Sequence, residues 1–156
     1  MLIDKNKYRE FLRVCISMNK KLNIVPVLFG SLGLEVLTQH DFYADDIDVL
    51  VPGVFHDQSW DKLKRIIESL GFEFVDLHEH EFKKENIKLA FGIEESLLEF
   101  ADVDFNTLEI IKDENAKYKL LNAEEYLRVY KASYEDSYIR DKNNGKDMEK
   151  IIYLEK

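Results

Sequence analysis

Two acidic side chains, Asp46 and Asp48, are separated by one apolar residue in the segment Asp46–Val51, whose composition predicts a β-strand. Because successive side chains of a strand point to opposite faces, both carboxylates lie on one face, and Ile47 and Val49 lie on the other. Two adjacent carboxylates repel each other unless a cation lies between them, and hard oxygen ligands favour magnesium or manganese. The pair therefore indicates a metal site, although an isolated acidic pair is also typical of a solvated edge strand.

The segment before this strand predicts a phosphate-binding turn. Val25–Phe29 is a short apolar run that predicts a buried strand beginning near Pro26, and Gly30 ends it. Ser31 is expected to cap the following helix with its hydroxyl. The N-terminus of a helix presents unpaired N–H groups that bind phosphate. A phosphate site that leads into a paired-carboxylate strand is the arrangement expected of a metal–nucleotide site.

Gly30-Ser31 followed by Asp46-Ile47-Asp48 resembles the G-[GS]…D-x-[DE] signature of the nucleotidyltransferase superfamily, which is related to the catalytic domain of DNA polymerase beta. The segments F-G-S-L-G-L-E-V-L and D-D-I-D-V-L-V-P carry the resemblance, which is nearest to the minimal and lincosamide-type members. Phe42–Asp45 replace the arginine, glutamate or histidine often found before the aspartates, and the gap is slightly longer than in the minimal members. The resemblance implies an α/β fold with a mixed sheet, packed helices and a C-terminal helical segment.

The resemblance also implies an activity. Asp46 and Asp48 would hold Mg²⁺ or Mn²⁺, while Gly30 and Ser31 would bind the phosphates of a nucleoside triphosphate. The nucleoside monophosphate would pass to a hydroxyl of a small molecule or a protein. Two alternatives remain open: a catalytically silent module of the same fold that binds nucleotide or a partner protein, and an unrelated α/β interaction domain whose acidic strand is a solvated edge.

The superfamily uses a third carboxylate on a later strand, which binds metal or accepts the proton of the acceptor hydroxyl. Asp76 in the segment F-V-D-L-H is the favoured candidate because it follows the second helix. Glu94 and Glu95 are the alternatives if the next strand faces the site.

Other residues have a structural and a functional interpretation. His78 and His80 on one strand face with Asp76 would suit zinc, but such histidines are more often partly buried structural residues. Cys15 lies in an apolar helix stripe and is predicted to be core rather than a nucleophile. A series of tyrosines at helical spacing either packs in the core or stacks a base: Tyr126, Tyr130, Tyr134 and Tyr138. Three basic residues near the following turn either contact phosphate or form a solvated turn: Arg140, Lys142 and Lys146.

Length and charge limit the possible functions. A chain of 156 residues suits one domain over 1–156, with a core over about 1–111 and C-terminal helices over about 122–155. The net charge of −9 is expected to repel nucleic acid. The sequence shows no signal peptide and no long apolar run, so membrane association is not expected and the cytoplasm is the expected location.

The remaining pattern predicts an alternation of helices and strands. Asn122 and Glu125 form a predicted capping box that opens a helix reaching about Tyr138. The other predicted elements are helices over 4–20, 57–70, 94–100 and 146–154, a hairpin formed by a strand after Gly71 and a strand over 87–93, and a weak strand within 103–111.

Overall fold

Six helices and seven strands occupy residues 5–136 and 147–156, the part of the chain that the computed structural model describes. The strands are β1 (Val27–Phe29), β2 (Asp46–Val51), β3 (Glu73–Asp76), β4 (Glu81–Lys84), β5 (Ile87–Ile93), β6 (Glu109–Asp113) and β7 (Ala116–Leu120). The helices are α1 (Lys5–Leu22), α2 (Gly30–Thr38), α3 (Trp60–Ser69), α4 (Ser96–Ala101), α5 (Ala123–Glu135) and α6 (Asp147–Glu155).

All seven strands form one mixed sheet in the order β3-β4-β5-β2-β1-β7-β6. Strand β2 is antiparallel to β1 and parallel to β5, and β1 is parallel to β7. The remaining neighbours are antiparallel. This arrangement confirms the predicted α/β fold and places the strand with the two aspartates at the middle of the sheet.

The face of β2 opposite the aspartates lies in the core. Ile47 and Val49 are fully buried, and α1 contacts both β2 and β7. The Cys15 thiol of α1 donates to the Lys117 carbonyl over 3.0 Å, and burial raises the pKa of Cys15 to about 12. Cys15 is therefore a core residue, as predicted, because a thiol with so high a pKa is a poor nucleophile.

Helix α5 begins with the predicted capping box. The Asn122 side chain accepts from the Glu125 amide over 2.8 Å, and the Glu125 carboxylate accepts from the Asn122 amide over 2.9 Å. Tyr126 and Tyr130 are buried and their rings stack with centroids 5.8 Å apart. Tyr134 is half-buried against the core, whereas Tyr138, Arg140, Lys142 and Lys146 lie outside the described residues.

Two sequence predictions need correction. The strand after Gly71 was expected to continue past Asp76, but the chain turns at 77–80 and pairs back as β4. His78 and His80 therefore lie in a turn, where His80 stacks on His56 with centroids 3.6 Å apart. Within the described ranges no group of three or more His, Cys, Asp or Glu side chains could hold a metal ion, so the structure does not support a zinc site.

The segment predicted as one weak strand within 103–111 is instead a 3-10 turn (Phe105–Thr107) followed by the β6–β7 hairpin. Strand β7 was not predicted from the sequence, although its alternation buries Ala116, Tyr118 and Leu120. Its pairing partner β1 is distant in the sequence, so tertiary contact rather than local propensity fixes this short strand. No helix in the described part of the chain is long and apolar enough to cross a membrane.

Candidate functional site

The start of α2 meets the aspartate face of β2. Phe29 at the end of β1 pairs with Asp48, so the next residue, Gly30, turns directly above the Asp48 carboxylate. Gly30 has φ +65°, and a Cβ atom there would lie 2.5 Å from Asp48 Oδ2. Only glycine provides both this backbone conformation and this space. The predicted adjacency of the glycine turn and the aspartate strand is confirmed.

The expected role of Ser31 as a cap is wrong. Helix α2 begins at Gly30, and the preceding residue, Phe29, takes the extended cap conformation with φ −123° and no side-chain hydrogen bond. Ser31 is therefore the second residue of the first turn, where its hydroxyl lies beside Tyr130. The amides of this first turn have no helical acceptors of their own.

Asp46 and Asp48 are both half-buried on the same strand face, as the alternation predicted. Burial, and after it the negative charge of Asp46, raise the pKa of the Asp48 carboxyl from its ordinary value of 3.8 to about 7. Lys150 opposes this shift, while Glu81 and Glu79 add to it. The site therefore has an excess of negative charge that a cation would neutralise.

A cavity of about 830 Å³ opens above these carboxylates. The β1–α2 turn, β2, Ala90 of β5, and residues of α4, α5 and α6 line it. Its acidic lining residues are Asp45, Asp46, Asp48, Glu79, Asp147 and Glu149, and Lys150 is the basic residue among the described lining residues. A polyanion would enter this cavity only together with cations.

Tyr130 and Lys150 supply donors to the cavity wall. The Tyr130 hydroxyl is buried beside Ser31 and makes no hydrogen bond of good geometry within the described residues. Lys150 Nζ lies 5.1 Å from the centroid of the Tyr130 ring. Behind them, Ser133 of α5 donates to the buried Asp147 carboxylate of α6 over 2.6 Å, which joins the two helices of this wall.

Sequence reasoning did not single out Lys150 or identify the place of Tyr130. Lys150 has no local pattern that separates it from other lysines of an amphipathic helix. Tyr130 was recognised only as one member of a tyrosine series. Their convergence depends on the packing of α6 against α5, which no spacing in the sequence encodes.

The structural role of Glu35 in α2 was also not predicted from the sequence. Glu35 is an acidic residue inside an otherwise apolar helix, and no local pattern indicates its partners. Its side chain is 1% exposed, and its Oε2 atom accepts from the amides of Phe42 and Ala44 over 2.9 and 3.1 Å. Burial raises the pKa of Glu35, and the two amides oppose that shift. This carboxylate fixes the loop that delivers the chain into β2.

The structure does not bring the expected third carboxylate to the other two. Asp76 lies on β3 at the edge of the sheet, with β4 and β5 between it and β2, roughly 14 Å of strand spacing. Its Oδ1 atom accepts from the His78 amide over 2.9 Å and so closes the turn.

Glu94 and Glu95 follow the end of β5, next to Val51, and are also remote from Asp48. Glu94 is buried 3.7 Å from Lys119, and Glu95 accepts from the Gly53 amide over 2.8 Å. Both therefore have structural contacts at the other end of the strand.

The residues that do lie near Asp46 and Asp48 are not the carboxylates expected from the sequence. On β5, Lys88 pairs with Asp46 and Ala90 pairs with Asp48, so the neighbouring strand carries no carboxylate at these positions. Glu79, in the turn between β3 and β4, lines the cavity instead. The structure thus offers an acidic residue in the cavity that sequence reasoning did not consider.

These residues fit a magnesium or manganese ion. Asp46 and Asp48 provide the oxygen donors that such ions prefer, and a bound cation would oppose the rise in the pKa of Asp48 that burial and the charge of Asp46 cause. Magnesium is commonly held by one or two carboxylates together with the phosphates of a substrate. A pair of carboxylates beside the open N-terminus of α2 meets that requirement.

The chain is 50% identical over 149 residues to the uncharacterized protein YnaI of Bacillus subtilis (strain 168), covering 96% of each sequence. A solved structure, that of an antigenic nucleotidyltransferase-like protein from Paracoccidioides brasiliensis, matches 97% of this chain and 77% of that chain with a TM-score of 0.62 and 16% identity. No protein-family model matches the chain. The structural likeness shows a nucleotidyltransferase-like fold, which confirms the fold that the sequence resemblance implied.

Proposed function

Since the chain belongs to the family of the Bacillus subtilis protein YnaI and has a nucleotidyltransferase-like fold, we propose that it is a metal-dependent nucleotidyltransferase of the minimal or lincosamide type. It transfers a nucleoside monophosphate from a nucleoside triphosphate to a hydroxyl of a small molecule or a protein. The observation that carries this proposal is the contact of Gly30, which opens α2, with Asp48 on the strand face that also carries Asp46.

Asp46 and Asp48 would hold magnesium or manganese in this cavity. When bound, the metal neutralises the charge of the triphosphate and the charge that develops in the transition state. The first-turn amides of α2 bind phosphate oxygens, since they lack helical acceptors and lie at the positive end of the helix dipole. The Tyr130 hydroxyl, beside Ser31, and the Lys150 ammonium add a donor and a positive charge to the cavity lining.

The acceptor hydroxyl attacks the α-phosphorus, so a new P–O bond forms as the bond to pyrophosphate breaks. The hydroxyl proton needs a base inside the cavity. Glu79 suits this role better than Asp76, because Glu79 lines the cavity whereas Asp76 lies at the sheet edge. The acidic lining and the net charge of −9 disfavour a nucleic-acid acceptor.

A second candidate function is a silent module that binds a metal–nucleotide complex, or a partner protein, without transfer. The observation that favours it is the β5 strand, which presents Lys88 and Ala90 beside the aspartates instead of a carboxylate. In that case Glu79 has no chemical role.

Pyrophosphate release tests the proposal. Wild-type protein is incubated with each nucleoside triphosphate, magnesium and candidate hydroxyl acceptors, or with the protein alone as its own acceptor. We expect release that is lost in Asp46→Ala and in Asp48→Ala, because each change removes a metal ligand. Glu109→Ala, on an exposed position of β6, is the matched acidic control and should keep full activity.

Two other outcomes are decisive. Binding of nucleotide with metal but no pyrophosphate with any acceptor would establish the silent module. Absence of nucleotide binding in the presence of magnesium or manganese would contradict both nucleotide functions and leave only a module that binds a partner protein.

A further inference from the structure

Tyr43 is an unusually exposed aromatic residue at the edge of the cavity. Its side chain is 83% exposed, and it lines the cavity three residues before Asp46. Its neighbour Phe42 behaves differently, since the Phe42 ring packs against His40 and Tyr153. The loop therefore directs one aromatic ring inward and holds the next one at the cavity mouth.

The backbone at Tyr43 is in a conformation that side chains rarely adopt. Its φ is +55°, in the left-handed region that favours glycine. Tyrosine at such a position is strained, and strain of this kind persists only where the surroundings fix it.

Carboxylates fix the loop at three successive amides. Glu35 Oε2 accepts from the Phe42 and Ala44 amides over 2.9 and 3.1 Å, and Asp41 Oδ1 accepts from the Tyr43 amide over 2.7 Å. Glu35 is buried in α2, the helix whose first turn forms the proposed phosphate site. The same helix therefore positions the phosphate-binding amides and the Tyr43 loop.

We propose that Tyr43 is a binding residue that stacks on the base of the nucleoside triphosphate. This inference rests on the proposed function, because it assigns the heterocyclic base to one side of the same cavity. An exposed aromatic ring on a loop whose backbone is already fixed binds a planar base by stacking without first ordering the loop. Stacking distinguishes bases poorly, so Tyr43 strengthens binding of all nucleotides.

Phe100 is the other exposed aromatic residue among the described lining residues, at 39% exposure. It lies on α4, where it also borders a second groove lined by Glu99 and Glu135. Tyr43 is instead joined through its loop to both the phosphate helix and the aspartate strand. This placement favours Tyr43 as the residue beside a nucleotide whose phosphates lie at Gly30.

The experiment compares ligands with and without a base. Dissociation constants are measured calorimetrically for ATP, GTP and inorganic tripolyphosphate, each with magnesium, on wild type, Tyr43→Ala and Tyr43→Phe. We expect Tyr43→Ala to weaken ATP and GTP binding about tenfold. Tripolyphosphate binding should stay unchanged because it has no base, and Tyr43→Phe should restore nucleotide binding because it keeps the ring.

Ile110→Ala on β6, which removes a 52% exposed apolar side chain far from the cavity, is the control and should bind as wild type does. Equal nucleotide affinity in wild type and Tyr43→Ala overturns the base-stacking role, while retained tripolyphosphate binding leaves the proposed phosphate site intact. A loss in Phe100→Ala with none in Tyr43→Ala also overturns it. If wild type binds neither nucleotide nor tripolyphosphate, the proposed function fails together with this inference.

Discussion

Gly30 and Asp48 illustrate how closely backbone and side chain approach at this site. The glycine provides a left-handed backbone conformation and leaves room for a carboxylate where a Cβ atom would lie. Asp48 is in turn half-buried beside a second carboxylate, which makes its charged form costly without a cation. The positions of Gly30 and Asp48 therefore depend on each other.

Replacing Gly30 with alanine should destabilise the protein and remove metal binding. The left-handed conformation alone costs alanine about 1–2 kcal/mol, and the added methyl group would displace Asp48. Urea denaturation measures the first effect, and the magnesium-induced rise in melting temperature measures the second. Gly71→Ala is the control, since its φ is +97° but the nearest atom is the flexible Lys84 side chain at 3.4 Å. A Gly30→Ala protein that keeps the full magnesium response would contradict this role.

The titration of Asp48 predicts how stability depends on pH. Its folded pKa is about 7 against an ordinary value of 3.8, so the folded protein binds the proton more tightly than the unfolded chain. In the absence of metal, the Asp48 contribution to stability is therefore greatest at low pH, decreases as pH rises from about 4 to about 7, and then levels off. Metal binds the deprotonated form, so its affinity should increase over the same range.

Melting temperatures with and without magnesium, between about pH 5 and about pH 8, test this dependence. The rise caused by magnesium should grow with pH in the wild type. Asp48→Asn should abolish that rise and should also stabilise the metal-free protein near neutral pH, because it removes the charge repulsion with Asp46. A magnesium effect independent of pH would mean that Asp48 is not a ligand.

At the scale of elements, the turn between β3 and β4 decides which carboxylate reaches the cavity. The register shifts between Phe74 and Asp76, and the chain then turns so that Glu79 enters the cavity lining. Asp76 remains on the edge strand and closes the turn through the His78 amide. The conformation of this turn therefore gives Asp76 a structural role and makes Glu79 the candidate base.

Glu79→Ala should reduce turnover about a hundredfold if Glu79 accepts the hydroxyl proton, while Asp76→Ala should leave turnover near the wild-type value. The measurement is pyrophosphate release under saturating nucleotide, with nucleotide affinity measured separately. Glu79→Gln, which keeps the shape but is a poor proton acceptor, should match Glu79→Ala in turnover. An inactive Asp76→Ala beside an active Glu79→Ala would restore the assignment made from the sequence, and loss of activity in Glu94→Ala or Glu95→Ala would move the base to the end of β5.

At the scale of the whole molecule, the sheet order places β2 fourth of seven strands and so puts the aspartates at the centre of one face. The helices α5 and α6 then line the cavity over that face and bring Tyr130 and Lys150 close to the glycine turn, where the Tyr130 hydroxyl lies beside Ser31. The net charge of −9 and the acidic cavity act in the same direction, since both would oppose the entry of a phosphate ligand without its cations.

The sequence by itself determined the features that local periodicity encodes. The alternation in Asp46–Val51 placed both aspartates on one face, and the break at Gly30 ended the strand and indicated a helix, although the cap is Phe29 and not Ser31. The Asn122–Glu125 capping box and the core position of Cys15 were likewise predictable, because each depends on residues within one or two turns.

Only the tertiary structure decided which distant residues meet these aspartates. Strand order placed Asp76 three strands away, and turn geometry brought Glu79 to the cavity in its place. Helix packing supplied Tyr130 and Lys150, and a buried carboxylate, Glu35, fixed the loop that presents Tyr43. Pairing and packing join segments far apart in the chain, so a periodic pattern within one segment determines the face of a side chain but not its partner across the fold.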